Sequence, residues 1–182
     1  QTMPKKCGHM LGRQVVDAEE MVSKIRAAAA VRQDPNFLII ARTDARTNHG
    51  VEEAIRRAKL YEQAGADIIF VESLESVEEM RMVNETIAKP TIANMVETGR
   101  TPLLTAAQLQ EIGYDMVVFP ISTLFVAAKA VYDMLMDLRA NGTTRNCLDE
   151  MMSFSQFNGF IGLPLVRELE ENRFDSVAKK LR

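Results

Sequence analysis

The sequence has few features of a secreted, membrane-bound or nucleic-acid-binding protein. Its 182 residues include two cysteines, Cys7 and Cys147, which are too few for a disulfide framework and suit a reducing compartment. No apolar run approaches the length of a membrane span. A formal net charge of −3 provides no basic face for nucleic acid. We therefore predict a cytoplasmic protein without nucleic-acid or membrane partners.

The sequence also lacks low-complexity tracts and linkers rich in Pro, Gly or Ser. We therefore predict a single domain over residues 1–182. The chain begins at Gln1 and no secretory apolar segment follows, so we expect the natural start of the gene to lie upstream. The composition, 47% hydrophobic and 26% charged, is ordinary for a globular protein with a core.

Short apolar runs alternate with longer amphipathic patterns along the chain. The predicted strands are apolar on both faces, as in a sheet covered on both sides; they are Phe37–Ala41, Ile68–Val71, Thr91–Ala93 and Met116–Phe119. Helices are predicted at Glu19–Arg32, Gly50–Gln63, Ser76–Thr86, Thr105–Ile112 and Ser122–Ala140. Gly65 is a C-terminal stop signal, and Ser76 with Glu79 forms a capping-box pattern.

This alternation predicts right-handed crossovers and a parallel α/β sheet. Four strand–helix units are too few to close an eight-stranded barrel, which takes about 250 residues. A small doubly wound sheet is the alternative architecture. Periodicity alone leaves the choice between the two open.

Polar residues follow each of the four predicted strands. They are Arg42 and Asp44, then Glu72, then Asn94, and finally Ser122. The carboxyl ends of parallel strands form the ligand face of such folds, and arginine provides the paired donors that carboxylates prefer. Each residue alone has a structural explanation: an ion pair with Asp44 or Glu72 for Arg42, a satisfied loop carboxylate for Glu72, and a turn for Asn94. Together on one rim they favour a site for a small carboxylate substrate.

The segment Lys5-Lys6-Cys7-Gly8-His9 is the second candidate for chemistry. Two lysines and a histidine place the thiol of Cys7 in positive potential, which favours thiolate chemistry or proton donation. Gly8 and Gly12 give the segment the freedom of a moving loop. Half of a metal site, formed by Cys7 and His9, is the weaker interpretation because the only other histidine is His49.

The remaining sulfur-containing side chains are predicted to fill the core. Cys147 is assigned as a small buried hydrophobic residue. Methionines on helical patterns are more often core residues than parts of a cofactor site. This interpretation applies to Met80, Met82, Met134, Met136, Met151 and Met152.

Five segments resemble, in order and spacing, the isocitrate lyase and phosphoenolpyruvate mutase superfamily, in particular its methylisocitrate lyase and 2,3-dimethylmalate lyase (oxaloacetate-cleaving) branches. They are Lys5–His9, Ala41–Ala45, Ala64–Asp67, Phe70–Glu72 and Ala93–Met95. The resemblance runs from the first residues to about Phe174. It implies a (β/α)8 TIM barrel of which this chain supplies the back half, strands five to eight. It also implies that C-terminal helices within residues 122–182 swap between subunits of a dimer, within a homotetramer.

The resemblance implies roles for individual residues. Cys7 matches the loop cysteine that protonates the carbanion released on cleavage, and His9, Arg42 and Glu72 are the other expected catalytic residues. The backbone at Cys7 and Gly8 and the side chains of Arg42, Glu72 and Asn94 are expected to bind substrate. Mg²⁺ is the implied cofactor and would polarise the substrate oxygen at C2. Its aspartate ligands are expected upstream of this chain.

Two departures from the family bear on the substrate. Methylisocitrate lyases carry arginines where this chain has Phe125 and Phe154, and those arginines meet a third carboxylate of the substrate. An aromatic ring cannot pair a carboxylate, and burying an unpaired charge is costly. The dimethylmalate lyase branch also has apolar or aromatic residues near these two positions, and its sequence resembles this chain at Phe154–Asn158. The resemblance therefore implies a Mg²⁺-dependent carbon–carbon lyase (oxo-acid lyase) that cleaves a 2-hydroxy or 2-keto dicarboxylate by retro-aldol or Claisen chemistry.

Three alternatives stay open from the sequence. The first is a methylisocitrate lyase. The second is a phosphonate mutase or hydrolase similar to carboxyphosphonoenolpyruvate phosphonomutase, although the phosphoenolpyruvate mutase branch lacks the cysteine loop. The third is a catalytically inactive fragment, because the metal ligands are missing from the chain.

Overall fold

The computed structural model of the protein describes residues 1–180, with side chains as far as Arg173. The chain divides into two compact units, Gln1–Thr123 and Leu124–Arg182. The boundary lies close to residue 122, where the C-terminal helices were expected to begin. A single domain over residues 1–182 and a swap of the C-terminal helices stay predictions, and residues 181 and 182 lie outside the described part.

Four parallel strands form the sheet of the first unit. They are β1 (Ile40–Thr43), β2 (Ile68–Val71), β3 (Ile92–Asn94) and β4 (Met116–Val118). β1 pairs with β2 and β3 with β4, and a bridge between Ile69 and Thr91 connects the two pairs. The strands therefore lie in sequence order. Because parallel crossovers are right-handed, this strand order puts the connecting helices on one face of the sheet. In a doubly wound sheet the strand order reverses, and helices cover both faces.

The predicted strand positions are close to the observed ones, and β2 matches exactly. The first strand was predicted too early, since Phe37 and Leu38 are 70% and 55% exposed. Pairing with the neighbouring strand begins only at Ile39, whose carbonyl accepts from the Asp67 amide (2.9 Å). The apolar run therefore indicated a strand but not which of its residues pair with the neighbouring strand. β3 starts and ends one residue later than predicted, and β4 ends one residue earlier.

Four helices belong to the first unit. They are α1 (Ala18–Val31), α2 (Arg46–Gln63), α3 (Val77–Thr86) and α4 (Ala106–Ile112). Inside α2, the backbone of Gly50 is not helical (φ 85°, ψ 170°), so the regular helix starts near the predicted position. Gly65 follows the helix with φ 108°, as the predicted stop requires.

The predicted capping box at α3 forms only in part. The Ser76 hydroxyl accepts from the Glu79 amide (3.2 Å), as an N-cap should. The Glu79 carboxylate accepts from the Glu75 amide (2.8 Å), and it also binds the guanidinium of Arg46. An arginine from a neighbouring helix therefore competes for the carboxylate that a local pattern assigns to the cap.

The core lies between the sheet and these helices. Alternate strand residues such as Ala41, Ile69 and Ala93 are buried on this side. On the opposite side Ile40 and Val118 are 51% and 42% exposed, whereas Ile68 and Ile92 are buried. The prediction of a sheet covered on both faces is therefore wrong at the outer strands β1 and β4 of the described residues. The core prediction for the methionines holds for Met80, which is fully buried, but it is wrong for Met82, Met136, Met151 and Met152, which are exposed.

The second unit is helical. After α5 (Ser122–Asn141), the chain forms a 3-10 helix (Arg145–Glu150), α6 (Phe154–Phe160) and α7 (Leu163–Lys180). Cys147 is buried, as predicted, and burial together with the nearby Asp137 carboxylate (3.7 Å) raises the pKa of its thiol. Across the described residues, no helix has both the length and the apolar character that a bilayer span requires.

Candidate active site

A cavity of about 980 Å³ lies in the first unit, at the carboxyl ends of β1, β2 and β3. All six residues predicted to be catalytic or to bind substrate line it: Cys7, Gly8, His9, Arg42, Glu72 and Asn94. Of the other two residues predicted on this rim, Asp44 lines the cavity, but Ser122 does not, and its hydroxyl donates to Glu97 instead. The N-terminal segment and three separate strands supply the six site residues. The tertiary fold therefore brings the two sequence features, the cysteine segment and the polar strand ends, to one place.

Arg42 forms ion pairs with both Asp44 and Glu72, the two partners predicted for a structural role. Its Nε and Nη2 donate to Asp44 (both 2.9 Å), and Nη2 lies 3.0 Å from Glu72 Oε2. Burial alone would lower the pKa of Arg42, but the Asp44 hydrogen bonds and the Glu72 charge raise it, so the guanidinium stays charged. The side chain remains 37% exposed and lines the cavity. Structural pairing and ligand binding are therefore compatible here.

Glu72 is the most deeply buried charged residue of the site, at 1% exposure. Its carboxylate accepts from the Ser73 amide (2.9 Å) and from Asn94 Nδ2 (3.2 Å), and it faces Arg42. Ser73 adopts a left-handed backbone (φ 61°), which directs its amide back to the carboxylate. Non-glycine residues rarely take this conformation, and it often marks a functional site.

Gly8 lies directly against the Arg42–Glu72 pair. A Cβ atom at this position would come within 2.5 Å of Arg42 Nη2 and 2.7 Å of Glu72 Cδ. The Gly8 carbonyl also accepts a hydrogen bond from the Ser73 hydroxyl. Gly8 therefore has a second reason to be glycine besides the predicted loop mobility, because only a residue without a side chain permits this close approach.

His9 presents its two ring nitrogens to different partners. Nδ1 accepts from the Arg100 amide (3.0 Å), so the neutral ring carries its proton on Nε2. Nε2 is buried 3.3 Å from Glu72 Oε1, at an angle that makes no hydrogen bond. Burial lowers the pKa of His9. The charges of three arginines, Arg13, Arg42 and Arg100, act in the same direction, and that of Glu72 opposes them. The neutral imidazole is therefore favoured.

Two buried polar atoms beside the cavity have no hydrogen-bond partner within the described residues. They are His9 Nε2, a donor in the neutral ring, and Asn94 Oδ1, an acceptor. Buried polar groups are almost always satisfied, so unsatisfied ones call for an explanation. A bound ligand that offers one acceptor and one donor would satisfy both atoms.

Cys7 is exposed at the cavity, in contrast to the buried Cys147. Its carbonyl accepts from the Met10 amide (3.0 Å), which closes a turn. The Lys6 ammonium donates to the Gly12 carbonyl (2.9 Å), within the same segment. The thiol is therefore accessible, as the predicted role requires, while one of its flanking lysines holds the loop together.

Sequence reasoning missed two arginines that shape the site. Arg13 is 2% exposed and donates from Nη1 to Asp44 (2.9 Å), which places this carboxylate between two guanidinium groups. Arg100 reaches His9 from the loop after β3. Their partners lie 31 and 91 residues away along the chain. A single sequence contains no local pattern that would reveal such pairs.

The model of the phosphoenolpyruvate phosphomutase family matches residues 6–139. A 2,3-dimethylmalate lyase of Eubacterium barkeri is 52% identical over 172 residues, which cover 94% of this chain and 60% of the relative. A 2-methylisocitrate lyase of Aeropyrum pernix is 45% identical over 162 residues, 89% of this chain and 52% of the relative.

Solved structures agree with these sequence matches. Oxaloacetate acetylhydrolase in complex with the inhibitor 3,3-difluorooxalacetate superposes with a TM-score of 0.84 and 32% identity. The superposition covers 95% of this chain and 59% of that protein. The chain thus spans less than two thirds of the length of each of these three proteins.

Proposed function

The chain belongs to the phosphoenolpyruvate phosphomutase family, and on this premise we propose that it is part of a carbon–carbon lyase acting on a 2-hydroxy or 2-keto dicarboxylate. The observation that carries the proposal is the single cavity that holds a thiol, a guanidinium, a carboxylate and an amide beside two unsatisfied polar atoms. The similarity to proteins named 2,3-dimethylmalate lyase and oxaloacetate acetylhydrolase supports this substrate class.

Each side chain has a role that its contacts support. Arg42 binds a substrate carboxylate, because its charge is fixed by Asp44 and Glu72 and its side chain lines the cavity. His9 Nε2–H donates to a substrate oxygen, and Asn94 Oδ1 accepts from the substrate hydroxyl. Glu72 binds Asn94 Nδ2 and faces Arg42, so it orients both groups.

The proposed reaction is a retro-aldol cleavage. The C2 hydroxyl, which a 2-keto substrate acquires by adding water at C2, transfers its proton to a general base. C2 becomes a carbonyl or carboxyl carbon, and the electron pair of the C2–C3 bond passes to C3. The positive charge of Arg42 stabilises the resulting carboxylate-substituted carbanion. The Cys7 thiol, exposed at the cavity, then donates a proton to C3. In this scheme 2,3-dimethylmalate gives pyruvate and propionate.

We further infer that the four strands are the fifth to eighth strands of a (β/α)8 barrel. The sequential strand order and the exposed side chains of Ile40 and Val118 on the outer strands support this assignment. A homotetramer with swapped C-terminal helices is proposed from the family resemblance, and the exposed apolar side chains of α5 and α6, including Phe125 and Phe160, suit such an assembly. A cytoplasmic location also stays a prediction.

Mg²⁺ dependence is proposed from the same resemblance. Within the described residues, no three His, Cys, Asp or Glu side chains come together as a metal site would require. This part of the protein therefore does not fit the metal by itself. Any Mg²⁺ would be held by residues outside it, in line with the family resemblance described above.

A substrate assay of the complete protein tests the proposal. With Mg²⁺ present, we expect kcat/KM to be highest for 2,3-dimethylmalate or oxaloacetate and lower for methylisocitrate. The reason is the family resemblance, by which Phe125 and Phe154 replace arginines that would pair with a third carboxylate. The preference of Phe125→Arg with Phe154→Arg should move toward methylisocitrate. A wild-type protein that prefers methylisocitrate would refute the carboxylate argument. Turnover of phosphonopyruvate alone would favour the phosphonate alternative.

A further inference from the structure

A chain of ion pairs lies beside the cavity, outside the groups that the proposed reaction uses. Glu75 binds the guanidinium of Arg100, with Nε donating at 2.9 Å, and also that of Arg46 at 2.6 Å. Arg46 in turn binds Glu79 at 2.6 Å. Glu75 lies just before α3 and Glu79 lies in its first turn. These ion pairs therefore fix the loop that carries Arg100 to the segment that follows β2.

The loop that carries Arg100 fits closely around His9. The Arg100 amide donates to His9 Nδ1 (3.0 Å), and a Cβ atom on the neighbouring Gly99 would lie 2.7 Å from the same nitrogen. Thr98 has a left-handed backbone (φ 57°), and the Gly99 amide donates to the Val96 carbonyl (3.0 Å). A tight turn thus presents one backbone donor to one ring nitrogen.

Both nitrogens of His9 therefore face groups that are anchored after β2. Nε2 faces Glu72 at 3.3 Å, and Nδ1 accepts from the backbone amide of Arg100. The side chain of Arg100 is bound by Glu75, which lies three residues after Glu72. Resting on the proposed function, we propose that Arg100, clamped by Glu75, is a positioning residue that fixes His9 with Nε2–H directed at the substrate. The same contact holds the segment of Cys7 and Gly8 against the site.

Charged groups from every neighbouring element act on the His9 ring. They are Glu72 after β2, Arg42 on β1, Arg13 in the N-terminal segment and Arg100 in the loop after β3. The three arginines favour the neutral ring and Glu72 opposes them. Loss of the Arg100 side chain removes one positive charge, and this raises the pKa of His9. It also releases the loop from Glu75, so the backbone amide of residue 100 is no longer held in place at Nδ1.

The test uses Arg100→Ala, Arg100→Lys and the control Arg32→Ala in the complete protein. Arg32 is a matched control because it also binds a carboxylate, Asp67, and its side chain is 23% exposed against 28% for Arg100. It lies near the amino ends of the strands, away from the cavity. The measurements are kcat/KM against pH and the tautomer and pKa of His9 from ¹⁵N NMR, with the resonance assigned by its loss in His9→Gln.

We expect Arg100→Ala to lower kcat/KM at neutral pH about 10-fold, since a misplaced contact group costs on that order or more. The acid limb of the pH profile should move to higher pH, and the Nε2–H tautomer should lose population. Arg100→Lys should restore most of both, because lysine can still pair with Glu75. Arg32→Ala should change neither the acid limb nor the tautomer.

An unchanged His9 tautomer and an unchanged acid limb in Arg100→Ala would overturn the inference, and so would equal changes in Arg32→Ala. A purely structural role would lower the melting temperature without moving either quantity. The NMR measurement does not depend on turnover. A wild-type protein that is inactive on every substrate would therefore refute the proposed function, while the positioning of His9 would still be decided.

Discussion

The Arg42 guanidinium lies 3.0 Å from the Glu72 carboxylate, and this contact joins the ends of two neighbouring strands. Glu72 is 1% exposed, so this partner and the hydrogen bonds from Ser73 and Asn94 offset the cost of burying its carboxylate. Gly8 packs against both members of the pair. Substitutions of Glu72 and of the neighbouring Gly8 therefore test how much the site depends on the Arg42–Glu72 pair.

Glu72→Gln should destabilise the protein, because it removes a buried charge and leaves the surrounding donors with a weaker partner. Arg42 keeps Asp44, so we expect a loss of about 1–3 kcal/mol in the free energy of unfolding, below that of a completely broken buried pair. Urea unfolding of the complete protein at neutral pH measures it. Glu20→Gln, which removes the exposed pair with Lys24, should cost about 0.5 kcal/mol or less. Equal losses in both variants would contradict the assigned importance of the pair.

Gly8→Ala should damage the site through contact alone. The new Cβ would lie 2.5–2.8 Å from atoms of Arg42 and Glu72, so one of these side chains must move. We expect kcat/KM to fall on the order of 10²-fold, as for a catalytic group displaced by about 1 Å. Gly159→Ala is the matched control, since its Cβ meets nothing within 4 Å. That variant should keep its activity, and near-full activity of Gly8→Ala would show that the close approach is unimportant.

Cys7→Ser tests the proton donor. A serine hydroxyl keeps the shape of the side chain but is a far weaker acid than a thiol, so kcat should fall by about 10²–10⁴. KM should change little, because Arg42 and Asn94 remain. Steady-state kinetics of the complete protein provide both constants. Cys147→Ser, at a buried position in the second unit, should leave kcat nearly intact. The reverse pattern would remove the main support for the lyase assignment.

Asp44 links stability to pH. Burial alone would raise its pKa, but hydrogen bonds and charges from Arg42 and Arg13 lower it below the usual value. A lowered pKa means that Asp44 stabilises the folded state above about pH 4, its unfolded value, and that this contribution is lost as the pH falls through the folded value. Asp44→Asn should therefore cost roughly 2 kcal/mol at neutral pH and progressively less in acid.

Urea unfolding of the complete protein, as wild type and as Asp44→Asn, between neutral and acid pH measures this difference. Asp17→Asn is the control, because Asp17 is exposed and makes no side-chain cap for α1. Its effect should stay small across the range. A difference for Asp44→Asn that grows as the pH falls would have the wrong sign and would contradict the assigned pKa shift.

The open sheet predicts the behaviour of the 182-residue chain alone. β1 and β4 leave unpaired strand edges, and Ile40 and Val118 remain exposed on the face of the sheet. Such surfaces promote association. We expect the chain expressed without further sequence to aggregate or to bind no Mg²⁺, as measured by sedimentation and calorimetry. A monomer in solution that cleaves substrate would contradict both the half-barrel proposal and the placement of the metal ligands.

The local pattern of the sequence determined the elements and the rim of the site. Apolar runs marked all four strands, and Arg42, Glu72 and Asn94 were found because each follows or ends such a run. Parallel strands share the direction of their carboxyl ends, so residues in this position meet whatever the details of packing. The family resemblance added an expected role for Cys7, which periodicity could not provide.

Tertiary structure decided what lies between distant segments. The contacts of Arg13 with Asp44 and of Arg100 with His9 join residues 31 and 91 positions apart, and the need for glycine at position 8 depends on how closely Glu72 approaches it. Burial also separated Met80 from the exposed Met82 on the same helix. Local propensity acts over a few neighbouring residues, whereas charge pairing and close approach depend on distances that only the folded chain sets. The sequence therefore determined which residues could do chemistry, and the fold determined which partners hold them.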